Sequence, residues 1–323
     1  MKFIKTLLLF LALSSCTNTS DTDVQLESYR FDADFFSVDS SSYEKKIYQW
    51  ESLHPGLTDY YLRNHISMSY DNDSIRRDYI LMFISHPDVV DFQNKISNKF
   101  ENTDTFTDKL NIVFEKYLTY FPDSSIPKKV IFINSFNTFG IDVFNQNLLI
   151  GLDFYLGNSH PAANIWEYLK VRYDEKYMIA DAMEYWITSS FISHNSVSNF
   201  QEELIFKGKI IYLMSLLTSD EKESILFRFS EENIEWCNLN EQNIWNEIIK
   251  LDIMYSKDYN SYATFFSDSP FTKGMPQESP GRLGYWVGYK IIESYMKNNN
   301  ISLYELMQNT NSQEILLKSK YKP

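Results

Sequence analysis

Apolar residues recur along most of this chain with the period of an α-helix. Tyr43, Ile47, Trp50 and Leu53 are spaced by four, three and three, which places them on one helical face. Asp39 or Ser40 stands where an N-cap belongs, and His54-Pro55-Gly56 stops the run. Ile75, Tyr79, Met82 and Phe83 follow a cap at Asp73 or Ser74. Val89, Phe92, Ile96 and Phe100 form a third run with Pro87 in its first turn. Phe106, Leu110, Val113, Tyr117 and Phe121 mark a fourth. The period changes at Pro127. Val130–Asn134 and Asn147–Leu152 are short β-branched or apolar runs, with Asn137, Gly140 and Asp142 between them, and they predict two strands of a small sheet. Helical spacing returns over Ile165–Tyr173, Tyr177–Ile192, Phe200–Leu217, Glu221–Phe229, Glu232–Trp236 and Glu241–Met254. Ser279-Pro280 predicts the opening of a helix that runs to Tyr295. Ser302 with Glu305 has capping-box spacing, and Asn311 with Glu314 repeats it. No repeat or linker interrupts this pattern. The expected fold is mainly α with a small inserted β-sheet, in a single domain over residues 26–323.

The first residues follow a different logic. Lys2 and Lys5 form a basic start, and Thr6–Leu13 is an apolar run. It is too short for a resident membrane helix, which needs about 20 residues. Ser14 and Ser15 precede Cys16. This is the order of a secretory signal, and Leu13-Ser14-Ser15-Cys16 resembles the bacterial lipobox. Residues 1–15 are therefore expected to be a lipoprotein signal peptide. Cleavage before Cys16 leaves a thiol that carries a diacylglyceryl group with palmitate-like chains. Residues 16–25 are polar and read as a lipidated tether.

Charge narrows the partners. The formal net charge is −13, and loss of Lys2 and Lys5 makes it −15. That argues against nucleic acid and against a polybasic grip on lipid headgroups, so attachment to membrane falls to Cys16. With Cys16 lipidated, Cys237 stands alone and no intramolecular disulfide is available. Aromatic residues make up 16% of the chain, with only nine Gly and nine Pro, a composition suited to one large core.

Strong catalytic motifs are absent. The five histidines, His54, His65, His86, His160 and His194, form no HExxH or HxH pair. There is no G-x-S-x-G, P-loop or G-x-G-x-x-G. Two weaker constellations remain. Asp181 and Glu184 are three apart on one expected helix, with His160 upstream, His194 just downstream and Glu202 and Glu203 on the next helix. A metal site or an acid/base pair can be assembled from these groups. Alternatively, Asp181 and Glu184 are solvated positions opposite an apolar face of Ile179, Met183, Trp186 and Ile187. The second constellation is Arg282 with Gly284 and Gly288. The glycines clear one helix face for a ligand or partner, or for a second backbone. Arg282 then either binds an anion or pairs with a nearby acid. No cofactor is expected beyond the lipid.

Several blocks, in order, resemble the gliding-motility lipoprotein family GldB of Bacteroidota. They are Phe31-Asp32-Ala33-Asp34-Phe35-Phe36, the run Gly151–Gly157, Gly208-Lys209 with Tyr212, Trp236 with Asn240-Glu241 and Ile244-Trp245, Pro270-Phe271-Thr272, Ser279-Pro280-Gly281-Arg282 with Gly284, Trp286 and Gly288, and the ending Ser319–Pro323. The resemblance implies a membrane-anchored envelope lipoprotein, facing the periplasm, that serves surface gliding and machinery linked to type IX secretion through contacts with other envelope proteins. It supplies no catalytic residues. A second resemblance is to zincin-type metallopeptidases, from the order of strands, the Ala180–Glu184 helix and an acid-bearing helix. In that alignment Ala180 and Glu184 replace both zinc-binding histidines, which implies a degenerate peptidase scaffold. Three readings follow. The first is a non-enzymatic accessory lipoprotein. The alternatives are a metal-dependent envelope hydrolase and a module that binds cell-wall or surface polymer.

Overall fold

Val130, Phe132, Leu148 and Ile150 enter one hydrophobic core, while Ile131, Ile133 and Leu149 enter another. This period-two alternation is the signature of a sheet buried on both faces. The computed structural model describes residues 23–160, 167–170, 173–191 and 197–323. The signal peptide, Cys16, most of the tether, His194, Ile192 and part of the expected 165–173 helix lie outside the described residues.

In chain order, β1 (Glu27–Arg30) leads into α1 (Phe31–Phe36), α2 (Tyr43–Leu53), α3 (Leu57–Asn64), α4 (Asp73–Ile84), α5 (Pro87–Lys99) and α6 (Asp104–Tyr120). Then come β2 (Lys129–Ile133), β3 (Ile141–Phe144) and β4 (Asn147–Gly151). The rest is helical: α7 (Glu167–Lys170), α8 (Met178–Phe191), α9 (Phe200–Leu217), α10 (Glu223–Phe227), α11 (Glu231–Leu239), α12 (Glu241–Lys250), α13 (Tyr259–Tyr262), α14 (Leu283–Asn298), α15 (Leu303–Gln308) and α16 (Ser312–Ser319). The molecule is thus mainly α with a small sheet, as the periodicity predicts.

The sheet has four strands in the order β1-β2-β4-β3, against the two expected. β1, β2 and β4 are parallel, and β3 returns antiparallel to β4. The two unforeseen strands are the edges. Each is four residues long: β1 has only intermediate or exposed positions and little apolar signal, and β3 buries only Ile141. Asn145 and Gln146 turn the β3–β4 hairpin with positive φ at both positions, the form a two-residue hairpin requires.

One face of the sheet is covered by α1–α4, with Phe31, Phe35, Trp50 and Tyr61 as large buried rings. The other face carries the larger core, built by α5, α6 and the helices from α8 onward. Val24 and Leu26 are already buried, and their amides donate to Glu115 and Asn111 of α6. The chain is therefore held to the body from Val24.

Several predicted caps are realised. Ser302 and Glu305 form the capping box, and Asn311 accepts from the Glu314 amide. Helix α14 departs from expectation because it begins at Leu283 and not near Ser279. Thr272 ties residues 279–280 into a turn: its amide donates to Ser279 Oγ at 3.3 Å and its hydroxyl donates to the Pro280 carbonyl at 2.7 Å. Arg282 then occupies the N-cap with φ 59°.

The β2–β3 connection is clasped from inside. Asp153 is fully buried and accepts from the amides of Ser135 and Asn137, both at 2.7 Å, and from the Ser135 hydroxyl at 2.9 Å. Phe136 and Asn137 are left-handed within this loop. Asp153→Asn turns an NH2 toward one of these donors, so it is expected to cost about 1–3 kcal/mol. Urea unfolding reads this directly, and an unchanged midpoint would show that the clasp contributes nothing.

Candidate functional site

Residues three apart on a helix share a face, and α8 accordingly presents Asp181 and Glu184 together. Neither is solvated: their side chains are 18% and 14% exposed. Arg228, just past the end of α10, reaches between them. Its Nε donates to Asp181 Oδ1 at 2.8 Å, Nη2 donates to the same oxygen, and Nη1 donates to Glu184 Oε2 at 2.6 Å. The remaining carboxylate oxygens are also engaged. Tyr155 donates its hydroxyl to Asp181 Oδ2 at 3.0 Å, and Tyr285 donates to Glu184 Oε1 at 3.1 Å.

Arg282 joins from the N-cap of α14. Its Nη2 lies 3.6 Å from Glu184, its Nη1 lies 3.6 Å from Asp268, and its guanidinium lies 4.1 Å from the Tyr285 ring centre. Lys207 of α9 approaches the same ring at 5.2 Å. Arg228 and Arg282 both have left-handed backbones, with φ 55° and 59°. Such a conformation costs a residue with a β-carbon about 1–2 kcal/mol, and strain of this kind concentrates at functional sites.

Burial alone would raise the Glu184 pKa. Arg228, Arg282 and Lys207 together outweigh it and hold the carboxyl well below its usual range. Burial would lower Arg228, but Asp181 and Glu184 hold it well above its ordinary value. Burial and the nearby Asp181 push the Tyr155 hydroxyl up. At neutral pH Glu184 therefore stays ionised and Tyr155 stays protonated. A general acid needs a pKa near the working pH, and neither group meets that requirement.

These ion pairs line a cavity of about 500 Å³ that also reaches Gly140 and Ile141 at the start of β3. Arg228, Asp268 and Arg282 also border a second cavity of about 900 Å³, next to Phe229, Ser230 and Pro280. Among the described residues, no group of three or more His, Cys, Asp and Glu is placed to hold a metal ion. His160 is not on the wall of the first cavity. Its ring stacks on Tyr173 at 3.8 Å, and burial lowers its pKa to about 4. Glu202 is occupied by the Ser198 amide and hydroxyl.

Gly284 and Gly288 face protein and not open space. A β-carbon at Gly284 would overlap the Phe266 ring, and one at Gly288 would overlap the Leu204 carbonyl of α9. Sequence reasoning thus finds Asp181, Glu184 and Arg282 but misses Arg228, which binds the first two, along with Lys207 and Tyr155. One signal was available. The chain has seven arginines against twenty-three lysines, and arginine is the residue suited to buried pairing with two carboxylates.

The family model for gliding motility protein GldB matches residues 14–323. The chain belongs to this family. Its designation marks it as a lipoprotein family associated with gliding motility, and the match includes Cys16. No curated protein and no solved structure matches the chain. Among the described residues, no helix is long and apolar enough to cross a membrane. Three of the blocks that carry the GldB resemblance also meet in space. Gly208 of α9 abuts Gly288 of α14, and Arg282 opens that same helix toward Glu184. The Gly151–Gly157 block supplies Tyr155 to Asp181.

Proposed function

We propose that this GldB-family protein is a non-enzymatic envelope lipoprotein that holds other proteins of the gliding and type IX secretion-linked machinery from a tethered position facing the periplasm. The observation that supports this most strongly is the Arg228 clamp. It fixes both candidate acids in ion pairs, and Glu184 is kept from titrating near neutrality. Such a cavity favours holding a ligand over transforming one. A metal at Asp181 and Glu184 would have to displace a guanidinium bound to both.

The sheet topology adds a second support. The tether reaches the body beside β1, at the starting end of the parallel strands, while the cavity lies at Gly140 and Ile141, beside the far end of β4. These are diagonally opposite corners, with three strand spacings of about 4.8 Å between the edges. This separation from the tether supports a partner in the aqueous space over lipid as the ligand. Tethering raises its effective concentration beside membrane machinery.

Crosslinking in cells should capture envelope proteins of that machinery, and a clean deletion should stop spreading or secretion. Normal spreading and secretion in the deletion strain would overturn this reading, as would stoichiometric zinc in the purified protein that is lost in Glu184→Ala. Cys16→Ser should move the protein from the membrane to the soluble fraction and abolish function. Full function of the released form would show that the anchor is dispensable.

A further inference from the structure

We infer that the 500 Å³ cavity is a recognition site for a peptide segment bearing a single carboxylate, read by Lys207 and Arg282. This rests on the proposed partner-binding function and specifies the ligand. The inventory of hydrogen-bonding groups on the cavity wall carries the inference. All four oxygens of Asp181 and Glu184 already accept hydrogen bonds. Arg228 spends its donors on those two acids.

The donors that remain belong to the other two bases. Arg282 Nε and Nη2 are buried with no hydrogen-bond partner, and the nearest acids lie 3.6 Å away. Among the described residues Lys207 has no carboxylate at ion-pair distance; Glu184 acts on it from farther off, and so does Glu203 one turn earlier on α9. Both cations crowd the Tyr285 ring, and Arg282 repels Lys207. Buried donors without acceptors are costly, so an anion beside the Tyr285 ring would satisfy the two unpaired Arg282 donors, with Lys207, which already reaches Tyr285, adding its charge.

Charge selects the kind of anion. Among the described residues, three acids, Asp181, Glu184 and Asp268, line the cavity with three bases, Lys207, Arg228 and Arg282, so their charges balance. One carboxylate adds a single negative charge opposite the open donors. Against balanced charges the second charge of a phosphate dianion gains no net attraction, and the dianion costs more to take out of water. Position favours a peptide as the bearer. Gly140 forms the hydrogen-bonded pair with Gly151, and such pairs alternate in antiparallel ladders. Ile141 on the cavity wall therefore turns its own amide and carbonyl to the open edge of the sheet, where an extended backbone can lie.

Detergent-solubilised full-length protein can be titrated with pools of blocked hexapeptides that fix either one Glu or one Gln. Further arms use a Gln pool with a free C-terminus, oligogalacturonate and inorganic phosphate. The expected result is at least ten-fold tighter binding of the Glu pool, or of the free C-terminal pool, than of the blocked Gln pool. The two acidic arms distinguish a side chain from a chain end. Lys207→Met and the milder Lys207→Gln should each weaken that binding about ten-fold, and Arg282→Lys should do so by removing the fork, with melting temperatures used to confirm folding. Equal binding of Glu and blocked Gln pools overturns the inference, as does absence of binding at millimolar concentration. Tighter binding of phosphate or oligogalacturonate overturns it too, as does wild-type affinity in folded Lys207→Met. Any of these results leaves the tethered-partner reading standing. Normal spreading and secretion in the deletion strain, alongside carboxylate-selective binding, would overturn only that reading.

Discussion

Gly288→Ala is expected to lower the stability of the protein by about 3 kcal/mol or more, and the melting temperature by roughly 5 °C or more. Helices α9 and α14 cross with Gly208 against Gly288, so their backbones touch where other helix pairs interpose side chains. A β-carbon at Gly288 would overlap the Leu204 carbonyl, and one at Gly208 would overlap the carbonyl of Gly288. In both cases the obstacle is backbone, which no rotamer change can clear. The helices must separate. Separation pulls Trp286, Ile291 and Ile210 apart in the larger core and unseats Lys209, whose buried ammonium donates to the Asn309 carbonyl at the end of α15. Gly208→Ala should behave alike. Lys297→Ala, exposed on the same helix, should stay within about 0.5 kcal/mol of the parent. Urea unfolding of the three variants tests this. A Gly288→Ala midpoint equal to that of Lys297→Ala would show that the crossing has room the geometry does not display.

That crossing was partly legible in the sequence, and so was most of the helical framework. Spacing by three and four marks α2, α5 and α6 because each buries one face; in α4 the buried residues are Ile80 and Ile84 while Tyr79 and Met82 of the expected face are exposed, and α9, with the expected bounds Phe200–Leu217, is buried nearly all round. Gly284 and Gly288, four apart, announce a close approach, but sequence alone does not say what approaches. The two central strands were readable because both faces are buried and the runs are continuously apolar. The edge strands β1 and β3 were not, since the ladder bonds that define them come from distant residues and their side chains are half solvated. The start of α14 was misplaced for a related reason. Ser279-Pro280 has the composition of a helix opening, yet Thr272, seven residues upstream, ties it into a turn.

The candidate site follows the same rule. Asp181 and Glu184 advertise a shared face by spacing. Their burial and ion pairing depend on Arg228, which lies more than forty positions away in a left-handed turn between short helices. Local pattern records which groups neighbour each other along an element. It does not record which distant cation neutralises them, and in this site the distant cation decides whether the acids are available for chemistry. The zincin-like alignment of Ala180–Glu184 addresses only the helix. The structure supplies an arginine clamp at that place, and the clamp is the feature any functional account must accommodate.

Arg228→Met tests that feature and should have the second large effect. It removes the shared partner of two mostly buried carboxylates while roughly preserving volume. Breaking a buried pair in this way typically costs about 3–5 kcal/mol, because the remaining charge is left uncompensated. Glu184's contribution to the pH dependence should change as well. In the parent protein the arginines and Lys207 hold the folded Glu184 pKa below its unfolded value. Its contribution to stability is therefore present above the unfolded carboxylate pKa, and it is lost as pH falls through the lower, folded one. Without Arg228, burial opposes only Arg282 and Lys207, and the folded pKa rises. If it passes the unfolded value, stability is instead greatest in acid and declines as pH rises toward neutrality. The variant should thus gain stability relative to the parent between about pH 7 and pH 5. Adding Asp181→Asn and Glu184→Gln to Arg228→Met should recover much of the lost stability by removing the orphaned charges. Chemical denaturation at several pH values reads all of this. A parallel loss at every pH, with no recovery in the triple variant, would show that Arg228 acts through packing alone. Recovery of stability without recovery of gliding would separate the clamp's contribution to the fold from its contribution to partner recognition.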